Sequence, residues 1–573
     1  MSAASALASE PAPAKKTTYE DDVLPIFRDN CLKCHNPDKL KGDLDLTSFS
    51  NTIKGGGSGV TLNAGDPDGS LLFKSVTHSD EPTMPPNGKL AERDIATIRR
   101  WIEGGLLQGA NSKSIAANKP AVDLSIKSVS VGKPEGPPPM PGALPLEPAV
   151  IATHGSPLGA IAHSPWAPVV ALTGAKQISL YNTRDLEFAG VLPFPEGIPC
   201  DVKFSRNGKL LLAGGGRGGH SGLVVVWDIA TGQRVITVGD QFDSVLAADL
   251  SSDQRWIALG GPDKVLKIYN TRDGALEHRI KKHTDWVTAI EFSPNAKYLA
   301  TGDRNGGVVL WEAESGQEMF SLAGHKGGIT AVTWRGDSEI FCSASEDGTL
   351  KLWKASDGSA VRNIAAHPGG ILAAHFTHGG QIVSSGRDNK VKTWDVAGKN
   401  LSNLPFKGDL PNRVAFNEDG SRILVSDWRG SVSVWDVKNT KSLGELEANP
   451  PTLAERVQRN AEQLAKLKAQ LTKASQAATA AAEAAKTTQA ALKRAQQSLA
   501  EARTAGTGVE AAQKEVDNAT KQHSASAKKI AEAKKTVADL TPQVATAEAA
   551  LAKWQTALDA TRAQATKSKV TLR

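Results

Sequence analysis

Five consecutive residues, from Cys31 to His35, carry the clearest chemistry in the sequence. Two cysteines are separated by two residues, and a histidine directly follows the second one. This spacing lets both thiols form thioether bonds to the vinyl groups of one haem while the histidine reaches its iron. A zinc site would need a second Cys or His pair at close spacing, and no such pair follows. The motif therefore predicts one covalent haem c, held by Cys31 and Cys34, with His35 as an axial ligand of the iron.

A methionine framed by prolines is the candidate for the opposite face of that haem. Met84 lies in the sequence Glu-Pro-Thr-Met-Pro-Pro at positions 81–86. A thioether sulfur is a weak, neutral ligand that raises the haem potential, and the flanking prolines would hold its backbone in place. His78 is the rival ligand and would lower the potential, and an open iron site is the third possibility. We predict Met84 as the sixth ligand.

Short helices must position these residues. The pattern Asp22, Val23, Ile26, Phe27 predicts a helix that runs into the haem motif, with acidic residues in its first turn. A closing helix is predicted over residues 93–103, with one apolar face that includes Trp101, which we interpret as core packing rather than an electron relay. Residues 38–70 are rich in Gly, Asp and Ser, and we predict a loop over one haem face.

Several motifs occur together between residues 19 and 107: Val23-Leu24-Pro25-Ile26-Phe27, the Cys31 to His35 motif, Gly65-Asp66-Pro67, Met84-Pro85-Pro86, Gly88-Lys89-Leu90 and Trp101-Ile102. In these motifs the segment resembles the planctomycete-type cytochrome c domain. The resemblance implies a small all-α haem c domain over residues 18–110, with His and Met axial ligands, in an exported protein. It names no electron donor or acceptor.

The location of the protein follows from that chemistry. Haem c of this family is assembled outside the cytoplasmic membrane, so we expect a periplasmic or otherwise exported protein. The stretch Ala6-Leu7-Ala8, followed by Ser9-Glu10-Pro11, is typical of the end of a signal peptide and its cleavage point. We interpret residues 1–17 as a disordered N-terminus or a signal-peptide remnant. We expect that Met1 lies downstream of the true start or that the chain has been trimmed. No run approaches the roughly 18 apolar residues of a membrane span.

Residues 111–147 are rich in proline and are predicted to form an extended linker that tethers the haem domain. A repeat follows, because strand-ending dipeptides recur at Tyr181-Asn182, Trp227-Asp228, Tyr269-Asn270, Trp311-Glu312, Trp353-Lys354, Trp394-Asp395 and Trp435-Asp436. Seven copies of about 42 residues predict a seven-bladed propeller over residues 148–449. The repeat resembles WD-repeat proteins. Its outermost last strand is predicted from either residues 149–153 or residues 442–448.

The resemblance to WD repeats implies a buried polar set in each blade. Blades five and six carry it in full, as His325, Ser343, Asp347, Trp353 and His367, Ser384, Asp388, Trp394. We interpret these histidines as structural. Blade four has Asn305 and blade seven has Arg429 at the acidic position, so an imperfect network is expected in both. Blade two is longer because of residues 216–221, and this insertion is predicted to project between its second and third strands.

After Pro450-Pro451 the composition changes to Ala, Lys, Gln and Glu. Apolar residues keep a 3-4 spacing from Val457 to Leu499 and again from Val509 to Leu558, which predicts an antiparallel coiled-coil hairpin over residues 450–573. Pro542 falls outside the seam and is expected to kink the second arm. The alanine-rich seam buries little apolar area, so we expect the arm to bind a helical protein or a second copy.

Charge and composition limit the function. Residues 451–573 carry 20 Lys and Arg against 11 Asp and Glu, spread along helices rather than packed into a run with interleaved aromatic residues, which favours a solvated surface over a nucleic-acid site. The predicted function is that of an exported c-type cytochrome that transfers electrons and docks protein partners through its propeller and coiled coil, not that of a substrate-converting enzyme. The alternatives are a scaffold with a structural haem and a propeller oxidoreductase with its own active site.

Overall fold

The computed structural model describes most of the chain, at residues 16–57, 61–109, 112, 124, 133, 136–142, 144–151, 157–377 and 379–571. The predicted signal remnant and most of the predicted linker lie outside these residues. Among the described residues, no helix has both the length and the apolar character needed to cross a membrane.

The N-terminal region is a small bundle of short helices. A π-helical turn, Tyr19–Val23, leads into α1 (Leu24–Asn30), and a 3-10 turn at Lys41–Asp43 precedes α2 (Phe49–Lys54), α3 (Leu71–Thr77) and α4 (Glu92–Glu103). The first and closing helices are as predicted, and α4 buries Ile95, Ile98, Trp101 and Ile102. The prediction of a loop over residues 38–70 is wrong at α2, where the Ser48 hydroxyl accepts a hydrogen bond from Asn51 N at 3.2 Å and caps a helix.

Trp101 joins the two ends of this bundle. Its ring is fully buried, lies 5.7 Å from the Tyr19 ring between centroids, and donates from Nε1 to the carbonyl of Leu107 at 2.9 Å. The amide of Tyr19 donates to the same carbonyl at 2.8 Å. The interpretation of Trp101 as a core residue therefore agrees with its contacts.

The predicted propeller of seven four-stranded antiparallel blades is confirmed. Each blade is formed by four consecutive strands. The strands are β1 (Ile161–His163), β2 (Val169–Gly174), β3 (Gln177–Asn182), β4 (Phe188–Pro193), β5 (Ile198–Phe204), β6 (Leu210–Arg217), β7 (Ser221–Asp228), β8 (Arg234–Gln241), β9 (Ala247–Leu250), β10 (Trp256–Gly260), β11 (Val265–Asn270), β12 (Leu276–Lys281), β13 (Val287–Phe292), β14 (Tyr298–Asp303), β15 (Val308–Glu312), β16 (Glu318–Leu322), β17 (Ile329–Trp334), β18 (Ile340–Ser345), β19 (Thr349–Lys354), β20 (Ala360–Ala365), β21 (Ile371–Phe376), β22 (Ile382–Gly386), β23 (Val391–Trp394), β24 (Asn400–Leu404), β25 (Arg413–Phe416), β26 (Arg422–Ser426), β27 (Ser431–Asp436) and β28 (Ser442–Glu447).

The ring closes between the first and last blades. Of the two strands that the sequence left open, Ser442–Glu447 is the outer strand of the last blade, paired with β27. Hydrogen bonds join the ends, from Ser179 Oγ to the carbonyl of Ala448 at 2.8 Å and from Asn412 Nδ2 to the carbonyl of Leu158 at 2.8 Å. The ring is therefore closed by contacts between blades rather than by a strand exchanged between chain ends.

One loop of the propeller region differs from the sequence prediction and another agrees with it. The described end of the predicted linker packs on the propeller, because Leu144 is buried in its core and the amide of Val191 donates to the carbonyl of Pro145 at 2.8 Å. The blade-two insertion lengthens the β6–β7 hairpin, as predicted, and its tip is held where the amide of Gly219 donates to Asp243 Oδ1 at 3.0 Å.

Two long helices, α5 (Leu453–Ala505) and α6 (Val509–Thr571), pack together at the C-terminal end and confirm the predicted helical pair. A capping box begins α5, in which Thr452 and Glu455 satisfy each other's backbone amides, and Gly506 ends it in the left-handed conformation. Helix α6 continues through Pro542, which is exposed. The predicted kink at this residue stays a prediction.

Candidate haem-binding site

The predicted haem motif forms a single backbone turn at the end of α1. The amide of Cys31 donates to the carbonyl of Phe27 at 2.7 Å, which extends the helix by one step. The amides of Cys34 and His35 both donate to the carbonyl of Cys31, each at 3.1 Å. Residues three and four positions apart in such a turn lie on the same side. The three residues therefore share one backbone turn, and their role in holding a haem stays a prediction.

The two cysteines are free thiols in an apolar environment. Cys31 belongs to the core of the helical domain and is only 9% exposed, whereas Cys34 is half-buried. Burial, with a smaller contribution from the neighbouring Cys34, raises the pKa of the Cys31 thiol to about 11. A thiol that burial keeps protonated is a poor thiolate ligand for a metal ion. No group of three or more Cys, His, Asp or Glu side chains suited to a metal ion occurs in the described residues.

His35 is half-buried and is held by its backbone. Its carbonyl accepts a hydrogen bond from the amide of Leu46 at 3.1 Å. Its Nδ1 is buried and has no hydrogen-bond partner in the described part of the chain. The donor set of two thiols and an imidazole in one turn fits a c-type haem.

Met84 and His78, the two candidate sixth ligands, are anchored at the same point. The amides of Met84 and His78 both donate to the carbonyl of Ser75, at 2.9 and 3.3 Å respectively. His78 ends α3 in the left-handed conformation, with φ of 62°. Its Nε2 is enclosed by protein and has no hydrogen-bond partner among the described residues, and both His78 and Met84 are half-buried. The C-terminal end of α3 thus carries both candidates.

Tyr19 supports the site and was missed in the sequence. Its hydroxyl donates to the carbonyl of Leu46 at 2.8 Å and accepts from Thr52 Oγ1 at 3.2 Å. Because the Leu46 amide donates to the His35 carbonyl, a single residue, Leu46, links Tyr19 to the haem motif. The available signal was a lone tyrosine at the start of the helical pattern, in a chain with only 4 tyrosines.

The polar networks of blades five and six are formed as predicted. In blade five, His325 Nδ1 lies 2.9 Å from Asp347 Oδ2, its Nε2 lies 2.7 Å from Ser343 Oγ, and Trp353 Nε1 donates to the same hydroxyl at 2.8 Å. In blade six, His367 repeats these contacts with Asp388 at 2.7 Å and Ser384 at 2.8 Å. These histidines have both ring nitrogens engaged, which agrees with a structural role.

Blade four corrects the sequence prediction. His283 Nδ1 lies 2.9 Å from Asp303 Oδ2, its Nε2 lies 2.8 Å from Thr301 Oγ1, and Trp311 donates to Thr301 at 2.8 Å. The acid is supplied two residues before Asn305, so the expected defect is absent. Blade seven does lack the set, since Trp435 Nε1 donates to Ser433 of its own strand at 2.9 Å.

The inner strands of the propeller line a central cavity of about 270 Å³. Its charged groups pair with one another and with backbone amides. Lys203 Nζ lies 2.6 Å from Glu291 Oε2, and Asp249 Oδ2 accepts from the amide of Phe292 at 2.7 Å. Burial raises the pKa of Asp249 to about 7, against the opposing charge of Lys203. The first pair joins the inner strands of blades two and four, and the second contact joins those of blades three and four, which gives the cavity a structural explanation.

Comparison with known proteins agrees with this division. Residues 31–88 match the model of the family described as Planctomycete cytochrome C. Residues 274–312, 316–354 and 358–395, which are repeats of the propeller, match the model of the WD domain, G-beta repeat. The chain is also 34% identical over 67 residues to the DENN domain and WD repeat-containing protein SCD1 of Arabidopsis thaliana. That match covers 12% of this chain and 6% of the plant protein.

The cytochrome c family model and the WD-repeat models support a haem-containing protein with an interaction domain. The cytochrome match spans the cysteine motif and Met84 and ends between α3 and α4. The chain thus combines a helical region that matches the planctomycete cytochrome c model, a seven-bladed propeller in which three repeats match the WD-domain model, and a C-terminal helical pair.

Proposed function

We propose that this protein is an exported c-type cytochrome that transfers electrons through one covalently bound haem and docks protein partners through its propeller and tail. The observation that supports the proposal is the turn at the end of α1, in which the amides of Cys34 and His35 both donate to the carbonyl of Cys31, itself part of a small apolar core. In this proposal Cys31 and Cys34 hold the haem, and His35 and Met84 are its axial ligands. When bound, the haem supplies reversible one-electron exchange.

The surrounding residues have positioning roles in this proposal. The Tyr19 hydroxyl and the Leu46 peptide hold the backbone behind His35. The carbonyl of Ser75 holds the backbone of Met84. A ligand set fixed in this way changes little when the iron changes its oxidation state, which favours fast electron exchange because little has to reorganise. Deeply buried Phe27, Ile98 and Trp101 supply the rigid support.

Met84 is the better of the two candidates for the sixth ligand. Both residues are half-buried, so burial does not separate them. The prolines on either side of Met84 would hold its backbone against the iron, and His78 has no such frame. This difference favours the sulfur as the sixth ligand.

The test is spectroscopic. The full chain is produced in a host that assembles c-type cytochromes. Haem staining after denaturing electrophoresis shows whether the haem is covalently attached. Met84→Ala should abolish the weak sulfur-to-iron absorption band near the red end of the visible spectrum and leave the haem attached. Met140→Ala, at an exposed methionine outside the haem domain, is the matched control and should keep the band. A wild-type protein without this band, or a band that survives Met84→Ala, contradicts the assignment of Met84.

A scaffold with a structural haem is the second candidate, and the WD-repeat match supports an interaction role that it shares with the first. The two differ in redox behaviour. An electron carrier is reduced and reoxidised reversibly without losing its ligands, whereas a structural haem has no such requirement. Failure of reversible reduction at an electrode would favour the scaffold, and a second cofactor in the purified protein would favour a propeller oxidoreductase.

A further inference from the structure

Helix α6 of the tail has a regular inner face. Its buried and half-buried residues recur at alternating spacings of four and three, at Ala512, Val516, Ala519, His523, Ser526, Ile530, Ala533, Val537, Leu540 and Val544. Contacts with α5 fix this face, since Thr488 Oγ1 lies 3.4 Å from His523 Nδ1 and Lys468 forms an ion pair with Glu548 at 2.8 Å. The spacing is that of a heptad repeat. In this repeat the position farthest from the partner helix lies two residues after every other inner residue, here after Ala512, Ala519, Ser526 and Ala533.

Lysines occupy this outermost position in four consecutive heptads. They are Lys514, Lys521, Lys528 and Lys535, and all four are exposed. We call these residues the lysine row. At 1.5 Å per residue they recur about every 10 Å along one line of the helix. Lys529 and Lys534 flank the row, so the positive charge is concentrated on the back of α6.

The row has few compensating charges. Lys514 lies 3.4 Å from Glu510, but Lys521, Lys528 and Lys535 have no ion pair or hydrogen bond in the part of the chain that the structure describes. Acids lie four positions from these three lysines, at Asp517, Glu532 and Asp539, but none of them pairs with its lysine among the described residues. The three ammonium groups are thus left to meet carboxylates of another molecule.

The back of α5 does not provide a counterpart in a second copy. Its corresponding outward positions are Glu455, Glu462, Ala469, Gln476, Glu483, Ala490 and Gln497. The three acids there are already engaged: Glu455 in the capping box, Glu462 with Gln458 Nε2 at 3.0 Å, and Glu483 with Lys486 at 2.8 Å. Pairing of two tails through the row would therefore leave most lysines unmatched.

A lipid surface is also a poor match. Helices that lie on membranes combine cationic residues with a large apolar face. The exposed positions beside the row carry small or polar residues, among them Thr520, Ser524, Ala525 and Ala531. A straight line of charges with helical periodicity instead matches another helix with the opposite charge at the same period.

We propose that the lysine row docks an acidic helix of a partner protein, one with Glu or Asp at seven-residue spacing. This inference rests on the docking role proposed above for the tail and names the class of partner. The row recognises the period of the acidic residues, because each lysine meets one carboxylate only when the two repeats agree. Binding is strongest at low ionic strength and weakens as salt screens the exposed pairs.

The test uses the full chain and two synthetic helical peptides of equal charge. One peptide carries Glu at every seventh position over four heptads, and the other has the same Glu residues in shuffled positions. The heptad peptide should bind more tightly than the shuffled one. Replacing the lysine row by glutamine should weaken binding of the heptad peptide about tenfold, since four exposed pairs are lost. Replacing the row by arginine should preserve the binding.

The matched control replaces four exposed lysines of α5 by glutamine, Lys466, Lys473, Lys486 and Lys493, and should keep the preference for the heptad peptide. Circular dichroism verifies that each variant keeps its helix content. Equal affinity for both peptides, an equal loss in the control, or tighter binding to phosphatidylglycerol vesicles or duplex DNA would overturn the proposal, as would a dimer that the glutamine variant dissociates. The haem spectrum is expected to be unchanged throughout, so failure here leaves the electron-transfer proposal intact.

Discussion

Histidines in the cytochrome domain and in the propeller have opposite surroundings. His283, His325 and His367 each lie between an aspartate and a hydroxyl, with both ring nitrogens within hydrogen-bonding distance of a partner. His35 is half-buried, and its Nδ1 has no partner among the described residues. A histidine whose two ring nitrogens both have partners stabilises the fold. A histidine with an unpartnered ring nitrogen, next to two cysteines in the sequence, can bind a cofactor. The side chain alone does not distinguish these roles, but its neighbours do.

The largest effect should come from removing the cysteine pair. Cys31→Ser with Cys34→Ser leaves no thiol in the cytochrome domain to form a thioether bond, so covalent haem should be lost entirely. Denaturing electrophoresis with haem staining measures this, and the unfolding transition of the propeller should be unchanged. Cys200→Ser, at a half-buried cysteine of the propeller, is the control and should retain full staining. Covalent haem in the double variant would show that Cys31 and Cys34 do not attach it, and would contradict the contrast drawn between the two regions.

The propeller histidines should give the complementary result. His367→Ala leaves the Asp388 carboxylate and the Ser384 hydroxyl without their imidazole partner in a buried network. We expect the free energy of unfolding of the propeller to fall by about 3 kcal/mol, with the haem spectrum unaltered. Denaturant titration followed by tryptophan fluorescence measures the change. His220→Ala, at an exposed position of the blade-two insertion, should cost less than about 0.5 kcal/mol.

Blade four offers a finer test within the propeller. Because Asp303 provides the carboxylate that contacts His283, Asp303→Asn should lower the free energy of unfolding by about 1.5 kcal/mol. Asn305→Asp, at the position where the repeat places the acid, should change it by less than about 0.5 kcal/mol. The same denaturant titration measures both. A larger loss from Asn305→Asp than from Asp303→Asn would restore the assignment made from the repeat.

Local patterns accounted for the domains and most of the site. The five-residue motif, the 42-residue repeat and the 3-4 spacing of the tail each repeat or concentrate a physical signal, so the helical bundle, the seven blades and the helix pair could be predicted. The turn that joins Cys31 to His35 follows from the motif itself. Met84 could be identified as a candidate from its prolines, because the short segment leaves few alternative ligands.

Features set by tertiary contacts could not be predicted in this way. Alignment of repeats placed the blade-four acid at Asn305, but the turn after β14 folds so that Asp303 reaches the histidine instead. The helix α2 depends on one capping serine within a Gly-rich stretch, and the composition of that stretch concealed it. The packing of Leu144 in the propeller core depends on two residues far along the chain, Gly190 and Gly232, which leave room for it.

The smallest effect we predict is a pH dependence confined to the propeller. Burial lowers the pKa of His325 and of His367 below the ordinary value, and the attraction of Asp347 and Asp388 only partly opposes it. In the unfolded chain both imidazoles titrate at about pH 6.5.

The unfolded state therefore binds more protons than the folded state once the pH falls below that value, and the stabilising contribution of each neutral histidine is lost as the pH decreases. Asp249 of the same propeller, with its pKa raised to about 7, gains stability over the same range as it is protonated, so the wild type is compared with a variant in which both histidines are glutamine. Relative to that variant, we expect the free energy of unfolding of the wild type to fall by about 1 kcal/mol between pH 7 and 6, with a further decrease below. A difference between the two proteins that stays level or rises between pH 7 and 5.5 would show that these rings are charged in the folded propeller, and the contrast with His35 would then rest on geometry alone.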